Sequence, residues 1–451
     1  MESIVLSDEQ LEAIKQIKEF LFSEETAFSL VGSAGTGKTL IMNTLVKELQ
    51  RSNMRVQLCA PTHKAKLVLQ RTTGRDCTTL HSLLALTPNL DIFELDFNEL
   101  MFKSNSESVT IPEYGLVICD EASMINDDLF KALLKRCSER NAKILFVSDE
   151  KQLRPVKSER ESLVYTVKHQ FRLTKIFRQS DKNALLPILE ILRNNSIDFF
   201  SDSSGEEGSL ICEYTLKEFL IKYIQSIRIA LANKDILETK LAAYTNKRVD
   251  LYNSLIKKAL FPNGKEYNES EFLTCCDNIE FEGMYQFWNS MDYIIATDPI
   301  KTVRTLRYFG DVEGWEFEVY DPLDDYNKRI FILSKDNPET TFNALAYKLD
   351  QLRINAVRER NYQRKAAKWA MYYDLNKSFT TPVDLYVDGR LVKKKSFTEG
   401  YACTTHRLQG STFNKIFVDM QNINTCFDDK VKQQLQYVAL SRTRTDAIIL
   451  Q

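Results

Sequence analysis

Histidine is scarce in this chain. Four are spread through 451 residues, at 63, 81, 169 and 406, and none stands at ligand spacing from another. The nine cysteines include one adjacent pair, Cys275 and Cys276, and no C-x-x-C. This argues against a structural zinc site and reads as reduced thiols in a cytosolic protein. No apolar run reaches the eighteen or so residues of a membrane span. The N-terminal MESIVLSDEQLEAIKQIKEF is acidic and amphipathic and does not read as a signal peptide. Positive charge is not in excess either: 60 lysines and arginines meet 62 acids, for a net charge of −2. Any nucleic-acid binding would have to use a local groove and not the whole surface.

What remains is ordinary globular composition, 43% hydrophobic and 27% charged, enough core for roughly two to four domains. The strongest local signal is AFSLVGSAGTGKTLIMNTLVKEL. Residues 28–31 read as a buried strand, and Ile41, Leu45 and Leu49 repeat at helical spacing. Between them Gly32, Ser33, Ala34, Gly35, Thr36, Gly37, Lys38 and Thr39 match G-x-x-x-x-G-K-[ST]. Small residues let backbone N–H groups surround phosphate oxygens, and the helix N-terminus adds its dipole. Lys38 then neutralises the β and γ phosphates, and the Thr39 hydroxyl serves magnesium. In YGLVICDEAS a second apolar strand ends at Asp120 and Glu121. Asp120 is placed to hold magnesium through water, and Glu121 to orient or deprotonate an attacking water. AKILFVSDEKQLRPV is a third strand with a polar end, where Asp149 and Gln152 are candidate γ-phosphate sensors.

Taken in order, APTHKAK, TTLHSLL, DEAS, QLRPV and IFRQS resemble the motifs of superfamily 1 helicases. LSDEQLEAI resembles their adenine-reading segment, with Gln10 as the reader, and IFRQS makes Arg178 a candidate arginine finger. Ser148 departs from the glycine common before the third-motif aspartate. Downstream, LAAYTNKRVDLYNSLI, YACTTHRLQGST and QQLQYVALSRTRT resemble the second motor domain of the RecD-like branch, near phage Dda-type helicases. The resemblance implies that Thr404, Thr405 and His406 face a nucleic-acid backbone, together with Thr62, His63, Thr79 and His81 of the first half. Phosphate contacts of that kind need fixed N–H and O–H donors and carry no sequence information. Gln409 and Gly410 would report on the γ phosphate, and Arg442 would complete the ATP site from the second domain. Arg407 replaces the family's usual lysine, keeping charge but not hydrogen-bond geometry.

The implied fold is α/β: two RecA-like P-loop motor domains carrying a β-hairpin pin and an inserted Src-homology-3-like β-barrel with a helical arm. The first motor domain spans 1–178, with the pin at about 86–112. The second is split into 179–260 and 383–451 around the insertion at 261–382. An aromatic at the pin tip would stack on a base and split the duplex; Phe102 is the candidate and Phe97 the second. RLVKKKS, at 390–396, is a possible phosphate contact. The expected function is an ATP- and Mg²⁺-dependent DNA helicase on single-stranded and forked or tailed duplex DNA. The polarity, 5′→3′, comes from the resemblance. Single-strand-binding or replication proteins are candidate partners, and a monomer in the (host) cytoplasm is the expected state. Three alternatives stay open: a translocase that strips proteins without unwinding, a nucleotide-gated binding module with little turnover, and an RNA helicase.

Overall fold

The computed structural model describes residues 6–33, 35–88, 102–104, 110–155, 160–175, 183–322 and 325–451. Two parallel sheets dominate it. The first runs in the order Cys77–Thr79, Val56–Ala60, Leu116–Cys119, Lys143–Ser148, Ala27–Gly32, His169–Leu173, with every pairing parallel. Its central strands are apolar on both faces because helices cover both. Leu30, Ile118 and Leu145 point into one layer, and Val117, Ile144 and Phe146 into the other. The second sheet has the order Ala402–Thr404, Thr239–Ala243, Lys415–Asp419, Ala447–Leu450, Ser209–Glu213, Ser203–Ser204, parallel except for its last pair. The two-motor α/β architecture expected from the motifs is present.

A third, antiparallel sheet is inserted into the second. It connects Ile300–Leu306, Gly310–Asp321, Asp292–Ile295, Phe272–Cys275 and Phe397–Glu399, with Tyr326–Leu333 on the far side of Gly310–Asp321. Phe397–Glu399 lies beyond residue 382, where the sequence reading ends the insertion. A strand supplied after the helical arm is invisible to a local pattern. The arm itself is the helix pair Glu339–Arg358 and Tyr362–Lys377. The first helix gives Leu345, Leu349 and Leu352 to the insertion's core, whereas the second buries only Leu375.

In the range expected to hold the pin, the described residues form a short antiparallel pair, Leu86–Pro88 with Phe102–Ser104. Phe102 stands opposite Pro88 in that ladder. Phe97 lies outside the described residues. Among the described residues, no helix is long and apolar enough to cross a membrane.

A buried ion pair fixes the insertion to the second motor. Lys240, on the strand Thr239–Ala243, donates to Asp292 Oδ2 at 2.8 Å and to the Gly400 carbonyl at 2.7 Å. Their side chains are 4% and 7% exposed. Burial alone would raise the Asp292 carboxyl, but Lys240 and Lys64 hold it below its ordinary value. Removing one partner strands the other charge in the interior. Lys240→Met is therefore expected to cost about 3–5 kcal/mol, read as a lower urea midpoint, with Asp292→Asn in the same chain restoring part of the loss.

Candidate functional site

The P-loop forms where the strand Ala27–Gly32 hands over to the helix Lys38–Arg51. Gly37 is the N-cap, in the left-handed region at φ 83°, and no side chain caps the helix. A Cβ there would sit 2.2 Å from Gln10 Nε2, so the position needs glycine twice over. Gln10 packs against the loop from the first helix. Its Oε1 accepts from the Ser7 amide in a capping box, and its Nε2 donates to the Thr36 carbonyl at 3.1 Å. It is buried behind the loop, not on the cavity wall. Lys38 Nζ donates to the carbonyls of Gly32, at 2.6 Å, and Ser33, at 2.9 Å. The Thr36 hydroxyl donates to the same Ser33 carbonyl. Ala34 lies outside the described residues, as does Arg178.

In front of the loop is a cavity of about 390 Å³. Gly35, Gly37, Lys38 and Thr39 line it from the first motor, with Asp120, Glu121 and Gln152. Gly410, Thr412 and Arg442 line it from the second. Burial, and then the neighbouring Glu121, push the Asp120 carboxyl up to about 7. Glu121 takes a left-handed backbone, φ 50°, which is costly for a non-glycine and aims its side chain across the cleft. There Arg442 Nη1 stands 3.8 Å from Glu121 Oε1. Arg442 is 5% exposed, and its Nε and Nη2 have no hydrogen-bond partner among the described residues. Gln152 Oε1 is likewise buried and unpartnered among the described residues. A buried polar group without a partner is expensive, so the cavity is built for a ligand rich in hydrogen-bond acceptors and negative charge, with room for a donor to Gln152.

A second, larger cavity of about 720 Å³ runs between the motors. Thr62, His63, Thr79 and His81 line it from the first, and Thr404 and His406 from the second. These six match the expected strand-gripping set. Thr405 does not join them. It is fully buried, with its hydroxyl donating to the Ala243 carbonyl, because one step past the strand Ala402–Thr404 turns the side chain inward. Gln409 lines this groove and not the nucleotide cavity, and its Nε2 is buried without a partner. The sequence reading missed Asn246 of the second motor and Asn278, Asn289 and Ser290 of the insertion, all on the same wall. Asn246 lies inside a quoted motif and was open to discovery. The other three come to the groove only through tertiary packing. His63 also stacks on Trp288 of the insertion, with ring centroids 3.5 Å apart.

Two contacts tie the groove and the cavity together across the cleft. Lys64 Nζ, deprived of water and so lowered in pKa, donates to the Arg407 carbonyl at 3.2 Å. Tyr437 donates to Asp149 Oδ2 at 3.1 Å, both side chains being buried. Tyr437 precedes Arg442 on the run out of the helix Asp429–Leu440, and Asp149 precedes Gln152.

Burial, with Lys66 and His81 nearby, pushes His63 down to about 4, and burial also lowers His81 and His406. The groove's histidines are therefore neutral donors and acceptors at neutral pH, beside the charged Arg407. An ordinary histidine would gain charge as pH falls through about 6.5. Here that gain is displaced to lower pH. Oligonucleotide affinity measured from pH 8 to 6 is expected to stay flat, and a marked tightening toward pH 6 would mean that the histidines take up protons on binding.

Comparison with known proteins gives consistent results. Residues 5–208 match a family model described as an AAA domain, and residues 399–450 match the UvrD-like helicase C-terminal domain. The chain is 25% identical to the ATP-dependent DNA helicase dda of Enterobacteria phage T4, over 98% of each. It is 31% identical to the ATP-dependent RecD2 DNA helicase of Deinococcus radiodurans, over 40% of this chain and 23% of that one. The crystal structure of the Pif1 helicase from Bacteroides in complex with ADP-AlF3 and ssDNA superposes with a TM-score of 0.51 at 17% identity. That match covers 99% of this chain and 92% of the other, and speaks for the fold alone.

Proposed function

We infer that this chain, a helicase of superfamily 1B, is an ATP-dependent DNA helicase that moves 5′→3′ along one strand held in the groove and parts the duplex ahead of it. The observation that carries the reading is Arg442. A guanidinium from the second motor is buried beside Glu121 of the first, over a P-loop, with two nitrogens left for an anion.

The residues fit a nucleoside triphosphate with a divalent cation. Lys38, Arg442 and the loop amides suit the phosphates, while Gln152 has acceptor capacity to spare for a water. Thr39 and Asp120 would hold magnesium, Asp120 through water, and the bound ion would neutralise phosphate charge. Glu121 then takes a proton from the water that attacks the γ phosphorus, and the bond to the β-phosphate oxygen breaks. Lys38 and Arg442 meet the charge that develops on the transferred group. Because they belong to different motors, a bound triphosphate favours the closed cleft and its hydrolysis releases it. Thr62, His63, Thr79 and His81 grip the strand from one motor, and Thr404 and His406 from the other. Relative motion of the two sets moves the strand. The hairpin that includes Leu86–Pro88 and Phe102–Ser104 would serve as the wedge.

ATP hydrolysis with and without single-stranded DNA tests this directly. We expect strong stimulation in the wild type and none in Lys38→Ala. Arg442→Ala should lower turnover by roughly 10³–10⁵ while oligonucleotide binding survives. Tailed duplexes then read polarity: opening of 5′-tailed but not 3′-tailed duplex is expected. DNA-stimulated turnover that opens neither, yet displaces a bound protein, would move the reading to a translocase. Turnover unmoved by DNA would defeat it.

A further inference from the structure

The helix Asn246–Leu260 starts in the strand groove and runs out of it. One row of its exposed positions is Asn246, Asp250, Ser254 and Lys258, spaced four apart over about 18 Å of axis; Lys247, Leu251, Leu255 and Ala259 are exposed beside it. The last three line a separate cavity of about 580 Å³, closed on its far side by the insertion and the return strand. Five lysines border that cavity, Lys257, Lys258, Lys265, Lys335 and Lys395, against two carboxylates, Asp250 and Glu399. Some of this charge is committed: Lys257 holds the buried Glu271 at 2.7 Å, and Lys265 holds Asp298 at 2.9 Å. Other pairings are loose, Lys395 to Asp250 at 3.7 Å and Lys335 to Glu399 at 3.9 Å. Lys258 has no carboxylate partner among the described residues and is exposed. Arg407 lines the groove and Lys395 the lysine-bordered cavity, while Asn246 and Asp250, one turn apart on the same helix, line one each.

We propose that this lysine-bordered cavity continues the nucleic-acid path, holding the sugar-phosphate backbone of a single strand where it leaves the groove on the side of the second motor. The proposal rests on the reading that the groove binds single-stranded DNA. A strand fits better than a compact anion. The charges are spread along a stripe and not gathered on one point, and Lys257 and Lys258 stand in the helix's last turn. That is the negative end of its dipole, which disfavours a point anion. A backbone with one charge per nucleotide can exchange the loose pairs of Lys395 and Lys335 one at a time, releasing counterions as it binds.

Binding of labelled oligothymidylates of increasing length tests it, with Lys258→Glu, Lys335→Glu and Asp250→Asn. All three are surface positions outside the nucleotide cavity. Wild-type affinity should keep rising once the groove is filled. That further gain should be lost in the two lysine variants and enlarged in Asp250→Asn, an increase that misfolding cannot imitate. The salt slope for long strands should fall by about 0.7 for each phosphate contact removed, while the slope for short ones is unchanged. Equal length dependence in wild type and variants would overturn the track and leave the groove intact. Failure of the wild type to bind short strands at all would remove the groove reading, and the track with it.

Discussion

The structure turns on one buried charge. Arg442 lies 3.8 Å from Glu121 with most of its guanidinium out of water and two nitrogens unsatisfied among the described residues. An arrangement like that is poorly stable alone: a single carboxylate at that distance does not repay desolvation of both ions. An anion in the cavity changes the balance, because it meets Arg442 and Lys38 together. The closed relation of the two motors is thus conditional on what fills the cleft. The first parallel sheet presents the C-terminal ends of its strands to that cleft, as open α/β sheets do at ligand crevices. Asp120 follows Leu116–Cys119, Asp149 follows Lys143–Ser148, and the P-loop follows Ala27–Gly32.

Conditional closure becomes motion only if the nucleotide cavity and the groove move as one body on each side. The chain supplies short links for this. Asp149, at the end of a sheet strand, holds Tyr437, and the same helix ends just before Arg442. Thr404 and His406 in the groove are separated from Gly410 in the nucleotide cavity by a single 3-10 turn, Thr405–Leu408. Thr405 gives up a place in the groove to pin that turn to the Ala243 carbonyl. A shift of Gly410 is therefore passed on to His406 by backbone geometry. On the other motor, Thr62 both caps the helix His63–Thr73 and lines the groove, while Ala65 and Val68 of that helix line the nucleotide cavity.

What was legible in the sequence follows from how local each signal is. The P-loop, Asp120–Glu121 and the Thr62/His63 and Thr79/His81 pairs each carry their context in a few neighbouring residues, and the structure brings each group to its cavity. Gln10 was legible as a residue near the nucleotide loop but not in its partner, because the Thr36 carbonyl that its Nε2 meets lies 26 residues away while its Oε1 serves the helix cap. Thr404 and Thr405 look equivalent in sequence, and a one-residue step in backbone direction separates them. The insertion was legible as short strands. Its closing strand, Phe397–Glu399, and its groove residues Asn278, Asn289 and Ser290 were not, since pairing across more than a hundred residues leaves no periodic mark.

Net charge sets the last constraint. A chain of net charge −2 cannot gather a polyanion over its whole surface. The groove's histidines are neutral by burial, and its lysine, Lys64, is spent on a backbone carbonyl inside the protein. On the proposed reading, grip in the groove comes mainly from directed hydrogen bonds, which can be made and broken in register as the motors move, with Arg407 as its other lining charge. A deep electrostatic well would instead hold the strand against translocation.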